Sequence, residues 1–175
     1  MNYKISLRAA ALSPSLTLAI DAKAKQMKAE GQDVVGFGAG EPDFDTPQHI
    51  KDAAAKALAA GFTKYTPSSG IPELRQALSR YYERHFATSL PPEHFYVTGS
   101  GMQAIVLAVQ ALTSPGDEMV YLSPTWPNIV AAIGVAGAKA VPVGIDFRDG
   151  RWDLDIGKLE SAITGKTKAL FINTP

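Results

Sequence analysis

The sequence has 175 residues, 46% of them hydrophobic and 19% charged, which is enough apolar material for a packed core in a single ordinary domain. Lys plus Arg and Asp plus Glu both number 17, so no field of one sign exists to draw in nucleic acid or an anionic membrane, and a small neutral partner is expected. The absence of cysteine excludes disulfides, zinc–thiolate centres and thiol nucleophiles, and a reducing cytosol fits.

Lys4 and Arg8 flank the start of an apolar stretch, residues 9–12, that is too short for a signal-peptide core and is soon interrupted by Pro14. No run approaches the roughly 18 apolar residues of a membrane span, so a soluble, cytoplasmic protein is expected. Ser13 as cap, Pro14 at the first helical position, and Leu16, Ile20, Lys23 and Met27 at helical spacing predict a helix over residues 14–30. The apolar run 34–37 predicts a strand that enters a loop, Gly36-Phe37-Gly38-Ala39-Gly40-Glu41-Pro42-Asp43, too rich in Gly and Pro for regular structure. Thr46-Pro47 repeats the cap-plus-proline device. Ile50, Ala54, Ala57 and Leu58 then line one face of a helix, and Gly61 supplies its left-handed stop. After a loop over 62–70, Leu74, Ala77, Leu78 and Tyr81 mark a third helix.

From there strands and helices alternate: strands at 95–98, 118–122, 139–143 and 168–172, helices at 101–113, 127–136 and 155–163. That rhythm predicts an α/β fold, a mainly parallel sheet layered between helices. The last strand runs directly into Pro175 with no helix after it, and buried parallel strands need a layer on both faces, so the sequence reads as a truncated domain.

Between the strand ending at Thr98 and the next helix lies Gly99-Ser100-Gly101-Met102-Gln103-Ala104. Glycines allow a tight turn there, the first helical N–H groups have no partner within the helix, and the helix dipole favours an anion by up to about 2 kcal/mol. The turn suits a phosphate; it equally suits a ligand-free strand-to-helix corner. Its spelling also matches the dinucleotide fingerprint, but that fold wants an acidic residue at the carboxyl end of the next strand. Here Asp117 and Glu118 lie at the strand's beginning, and its end reads Leu122-Ser123-Pro124-Thr125-Trp126. A flat ring held through a phosphate fits a large aromatic face better than an adenosine ribose does. The glycine cluster at 36–40 fails the same test, because Glu41 stands where the third glycine belongs and Pro42 follows.

Three stretches together, Gly38-Ala39-Gly40-Glu41-Pro42-Asp43-Phe44-Asp45-Thr46-Pro47, Lys64-Tyr65-Thr66-Pro67 with Gly70-Ile71-Pro72-Glu73-Leu74-Arg75, and Leu122-Ser123-Pro124-Thr125-Trp126, resemble the class I aminotransferases of fold type I, nearest the aspartate aminotransferase-like branch. The resemblance runs in order from about residue 5 to residue 175. It implies pyridoxal 5'-phosphate as cofactor and amino-group transfer between an amino acid, aspartate or a related one, and a 2-oxo acid. It implies that Ser100, Gly101 and Met102 hold the cofactor phosphate, that Trp126 stacks on the pyridine ring and borders the substrate, and that the Gly40 N–H contacts the substrate carboxylate. Tyr65 would reach the phosphate of the neighbouring subunit in a homodimer. Taken singly, Tyr65 and Trp126 also suit core aromatics. Met102 departs from the family, where Lys or Thr is common, so only its backbone N–H is expected to serve.

The resemblance further implies that residues 1–47 form an amino-terminal arm and the first part of a small domain, and that 48–175 form the first half of the large cofactor-binding domain. The Schiff-base lysine, the asparagine and tyrosine at the ring oxygen, the aspartate at the pyridine nitrogen and the arginine for the substrate carboxylate would all follow residue 175. The segment alone is therefore expected to be inactive. Lys166 and Lys168 stand at a strand's beginning, away from the carboxyl ends where the site would lie, and His49, His85 and His94 have no metal-like spacing. A non-catalytic phosphate-binding or dimerising half-domain, and a lyase or synthase on the same fold, share the residues present.

Overall fold

The computed structural model describes residues 4–38 and 40–174; Ala39 of the glycine-rich loop and the closing Pro175 lie outside the described residues. The chain forms two compact units, one made of the residues up to Pro14 together with those from Gly99 onward, the other Ser15–Thr98.

In the first unit a three-stranded sheet has the order β2-β1-β5, with β1 at Glu118–Ser123, β2 at Lys139–Gly144 and β5 at Thr167–Phe171. Both pairings are parallel, Val120 lying opposite Val141 on one side and Leu170 on the other. Helices α5 (Gly101–Leu112) and α6 (Asn128–Ala136) cover one face, where Val109, Met119, Ile129, Ala132, Ile133 and Ala136 form the buried cluster. Neighbouring Val120 is fully buried, as expected for a central parallel strand covered on both faces. Each such aliphatic side chain contributes about 1.5–3 kcal/mol by leaving water. The chain leaves β1 through α6 to β2 on one side, then returns through α7 (Ile156–Ala162) to β5 on the other. Right-handed crossovers in opposite directions place α6 and α7 on opposite faces, which yields the α/β/α layering expected from the sequence.

The turn into β1 is fixed locally. Gly116 sits at φ +96°, the Asp117 N–H donates to Ser114 O at 3.0 Å, and Asp117 Oδ2 accepts the Ser114 N–H at 2.8 Å. Gly137 ends α6 at φ +83°, and a Cβ there would meet Pro115 Cγ at 3.3 Å, so both the conformation and the packing select glycine. Helix α1 (Leu7–Ala10), capped by Ser6, was not expected from the sequence; Arg8 donates from it to Val135 O at 3.3 Å. A hairpin of β3 (Asp146–Arg148) and β4 (Arg151–Asp153), also not anticipated, turns at Asp149 (φ +51°) and Gly150 (φ +79°) and pairs Phe147 edge-on with Trp152.

The second unit carries α2 (Leu16–Ala29), α3 (Gln48–Ala59), α4 (Pro72–Phe86) and a short 3-10 turn, Pro92–His94. Two caps differ from expectation by a residue or two: Ser15, not Ser13, caps α2 through the Leu18 N–H, and Pro47 rather than Thr46 occupies the cap of α3 while the Thr46 N–H donates to Asp45 Oδ1. Gly61 is left-handed after α3, as read.

The strands expected at 34–37 and 95–98 do not form. Residues 34–37 instead border a groove of about 400 Å³ along α2 with Ile20 and Met27, and Gly36 and Gly38 lie against that helix. Residues 95–98 join no strand ladder among the described residues; the Val97 N–H donates to Ser69 O at 3.0 Å. Apolar β-branched residues supply the propensity for a strand, but a strand exists only where a partner offers a row of donors and acceptors.

Candidate functional site

Ser100 caps α5 from an extended backbone (φ −165°, ψ 160°). Its Oγ accepts the Gln103 N–H at 3.1 Å and its carbonyl accepts the Ala104 N–H at 3.1 Å. Of the helix's first donors this leaves the N–H groups of Gly101 and Met102, the pair that an anion at a helix start would take. A Cβ at Gly101 would meet nothing within 4 Å, so the space over the backbone there is open. The turn Gly99 to Gly101 thus fits a phosphate. Met102 packs its side chain against the core cluster, which restricts it to a backbone contribution.

Helix α5 has 12 residues, about 18 Å at 1.5 Å per residue, and leads through the short Ser114–Asp117 turn into β1, packing back along it. Its amino end therefore lies toward the carboxyl edge of β1, where parallel α/β sheets place their ligands. At that edge the chain continues through Ser123-Pro124, a cis peptide, to Thr125 and Trp126 and into α6. Trp126 is 37% exposed, so it is not a core aromatic. Beside it, Thr125 Oγ1 is the one buried side-chain polar atom among the described residues without a hydrogen-bond partner. An unmet buried hydroxyl costs about 1–3 kcal/mol, a cost that protein sites commonly carry for a ligand.

A cavity of about 410 Å³ opens at the same edge, between Leu122 and Pro124 after β1, Ile145 after β2, Trp152 of the hairpin, and Ile172 and Asn173 after β5. It lies where the chain order reverses across the sheet, β2 to one side of β1 and β5 to the other. Neither Ser100 nor Trp126 lines it. Asn173 and Trp152 were not singled out from the sequence; the reversal of strand order that brings them together is a property of the sheet, which the letters do not carry.

Tyr65 and Gly40 belong to the second unit. The Tyr65 ring is fully exposed, which removes the core-aromatic alternative. Gly40 is exposed, and a Cβ on it would meet nothing within 4 Å, so its backbone is open to a small molecule.

At the opposite edge of the sheet Glu118, 8% exposed, accepts from Lys139 Nζ at 3.0 Å and from Thr164 Oγ1 at 2.8 Å. The Thr164 hydroxyl first, and Lys139 second, hold its carboxyl below the usual range. Lys166, whose carbonyl accepts the Glu118 N–H, and Lys168, 3.8 Å from Asp117, share this edge, remote from Pro124 and Trp126. His85 stacks on Tyr81 at 4.4 Å, and among the described residues no group of three or more His, Asp or Glu is placed to hold a metal. No described helix is long and apolar enough to cross a membrane.

A family model for aminotransferases of class I and II matches residues 32–175. The chain belongs to that family. The aspartate/prephenate aminotransferase of Thermus thermophilus is 44% identical over 171 residues, 98% of this chain and 44% of that protein. The aspartate aminotransferase of Bacillus subtilis is 41% identical over 172 residues, again 98% of the chain and 44% of the relative. The solved structure of Thermus thermophilus aspartate aminotransferase with maleate superposes with a TM-score of 0.90 at 43% identity, covering 97% of this chain and 44% of that one. The chain thus spans under half the length of the aminotransferases it matches, and its fold is theirs over that span.

Proposed function

We propose that the whole protein to which these residues belong is a cytoplasmic, homodimeric aminotransferase dependent on pyridoxal 5'-phosphate, acting on aspartate or a related amino acid and a 2-oxo acid. The observation that carries this reading is the open, Ser100-capped start of α5 toward the same sheet edge as half-exposed Trp126, in a chain of the aminotransferase family. When bound, the cofactor serves as an electron sink for the substrate α-carbon.

The chain's own residues contribute binding and orientation. The N–H groups of Gly101 and Met102 and the Ser100 hydroxyl hold the phosphate dianion, assisted by the α5 dipole. The Trp126 indole lies against the ring and borders the substrate, fixing the ring plane by offset stacking. The Gly40 N–H donates to the substrate carboxylate, and Tyr65 reaches the phosphate held by the second copy, which makes each site depend on the dimer. Residues 1–47 supply the arm and the start of a small domain, and 48–175 the first half of the large domain. The family pattern expects the lysine that binds the cofactor covalently after residue 175; the position of Lys166 and Lys168 at the sheet edge opposite Pro124 and Trp126 supports assigning the role to neither. An acidic substrate is supported by the names of the relatives, aspartate and prephenate, and by maleate in the Thermus structure.

The test is spectroscopic. Aspartate added to the cofactor-loaded full-length protein should shift the cofactor absorption, and a 2-oxo acid should reverse it; no shift with aspartate or any other amino acid would remove the aminotransferase reading.

A further inference from the structure

The side chain of Gln103 closes the turn that opens α5. Its Oε1 accepts the Gly99 N–H at 2.7 Å, while its own backbone N–H donates to Ser100 Oγ at 3.1 Å. In the usual capping box the side chain at this third helical position reaches back to the N–H of the cap residue itself. Here it reaches one residue further, so Ser100 is tied from both sides by one residue. Two consequences follow for the backbone. The Gly99 N–H is turned toward the helix and withdrawn from any ligand, and the remaining donors at the helix start, Gly101 and Met102, keep a fixed direction. A Cβ at Gly99 would come within 3.0 Å of Gln103 Oε1, so the carboxamide fills the space beside that glycine. Because the bond is exposed to water, it adds little to overall stability; its benefit lies in ordering the loop before a ligand arrives.

We propose that Gln103 is a positioning residue that preorganises the Gly99–Gly101 turn for a phosphate ester, an inference that rests on the cofactor reading above. Without the Oε1 acceptor the Gly99 N–H turns outward and the two donors lose their common direction. The phosphate end of a ligand then binds less well, whereas a ring held against Trp126 is untouched. The signature is therefore selective for the phosphate.

The experiment titrates the full-length apoprotein with pyridoxal phosphate and, separately, with pyridoxal, which lacks the phosphate, following the cofactor absorption in the wild type, Gln103→Met and Gln103→Asn. Met keeps the length without an acceptor, and Asn keeps the amide but falls short by one methylene, so either variant suffices if the other does not fold. Both should weaken pyridoxal phosphate about tenfold, the scale of one net hydrogen bond, and leave pyridoxal unchanged. Equal losses for the two ligands would reduce Gln103 to a structural role and overturn the proposal, as would an unchanged affinity for pyridoxal phosphate. A wild type that does not prefer the phosphorylated form would instead overturn the cofactor reading itself, independently of the variants.

Discussion

At Gly70 the backbone sits at φ +99°, and a Cβ there would come within 2.5 Å of Val97 Cγ2. Gly70→Ala therefore combines left-handed strain with a clash against the segment that precedes the Gly99–Gly101 turn. It should destabilise by roughly 2–3 kcal/mol, visible as a lower denaturant midpoint at unchanged slope. Thr125 makes the opposite prediction. Its buried Oγ1 has no partner, so Thr125→Val should raise the melting temperature of the apoprotein by the equivalent of about 1 kcal/mol, while weakening any ligand that uses the hydroxyl. Glu118 sets an acid limit. Its folded-state pKa lies below the unfolded one, so its contribution is present above the ordinary glutamate range and is lost as pH falls through the lowered value. Glu118→Gln should lower stability at neutral pH and flatten the acid limb of a stability–pH profile. Of these residues only Gly70 was legible in the sequence, as the close of the loop over 62–70. A glycine at the end of a loop states a backbone need, whereas Thr125 and Glu118 matter through what surrounds them, which the order of residues does not display.

Among the elements, those read correctly are the ones whose punctuation and apolar content agree. Helix α4 begins with Pro72 and spans the expected Leu74 to Tyr81 face; α7 is capped by Asp155; β1 is a run of apolar residues between a Pro-Gly turn and Pro124. The hairpin β3–β4 escaped notice because three-residue strands give no periodicity, although Asp149-Gly150 between them is a strong turn signal. Residues 34–37 and 95–98 failed for the converse reason, good strand composition without a neighbouring strand. The Ser100 cap of α5 supplies a prediction at this scale. Ser100→Ala removes the Oγ acceptor for the Gln103 N–H and should cost about 1 kcal/mol of stability, measured by thermal unfolding without cofactor.

For the molecule as a whole, the proposed reading expects the cofactor lysine and the other catalytic groups beyond residues 1–175. Purified residues 1–175 should show no amino-group exchange between aspartate and a 2-oxo acid, and measurable exchange would contradict the reading. The sheet carries a second consequence. Within it β1 is flanked on both sides, while β5 is hydrogen-bonded only to β1, with Lys168 and Leu170 exposed along a strand whose outer main chain meets no other strand of the sheet. A free parallel edge of this kind is a template for another copy of itself, and one lysine is modest protection. Preparations of residues 1–175 should accordingly self-associate with increasing concentration, and a proline placed at position 169 would be expected to keep them dispersed.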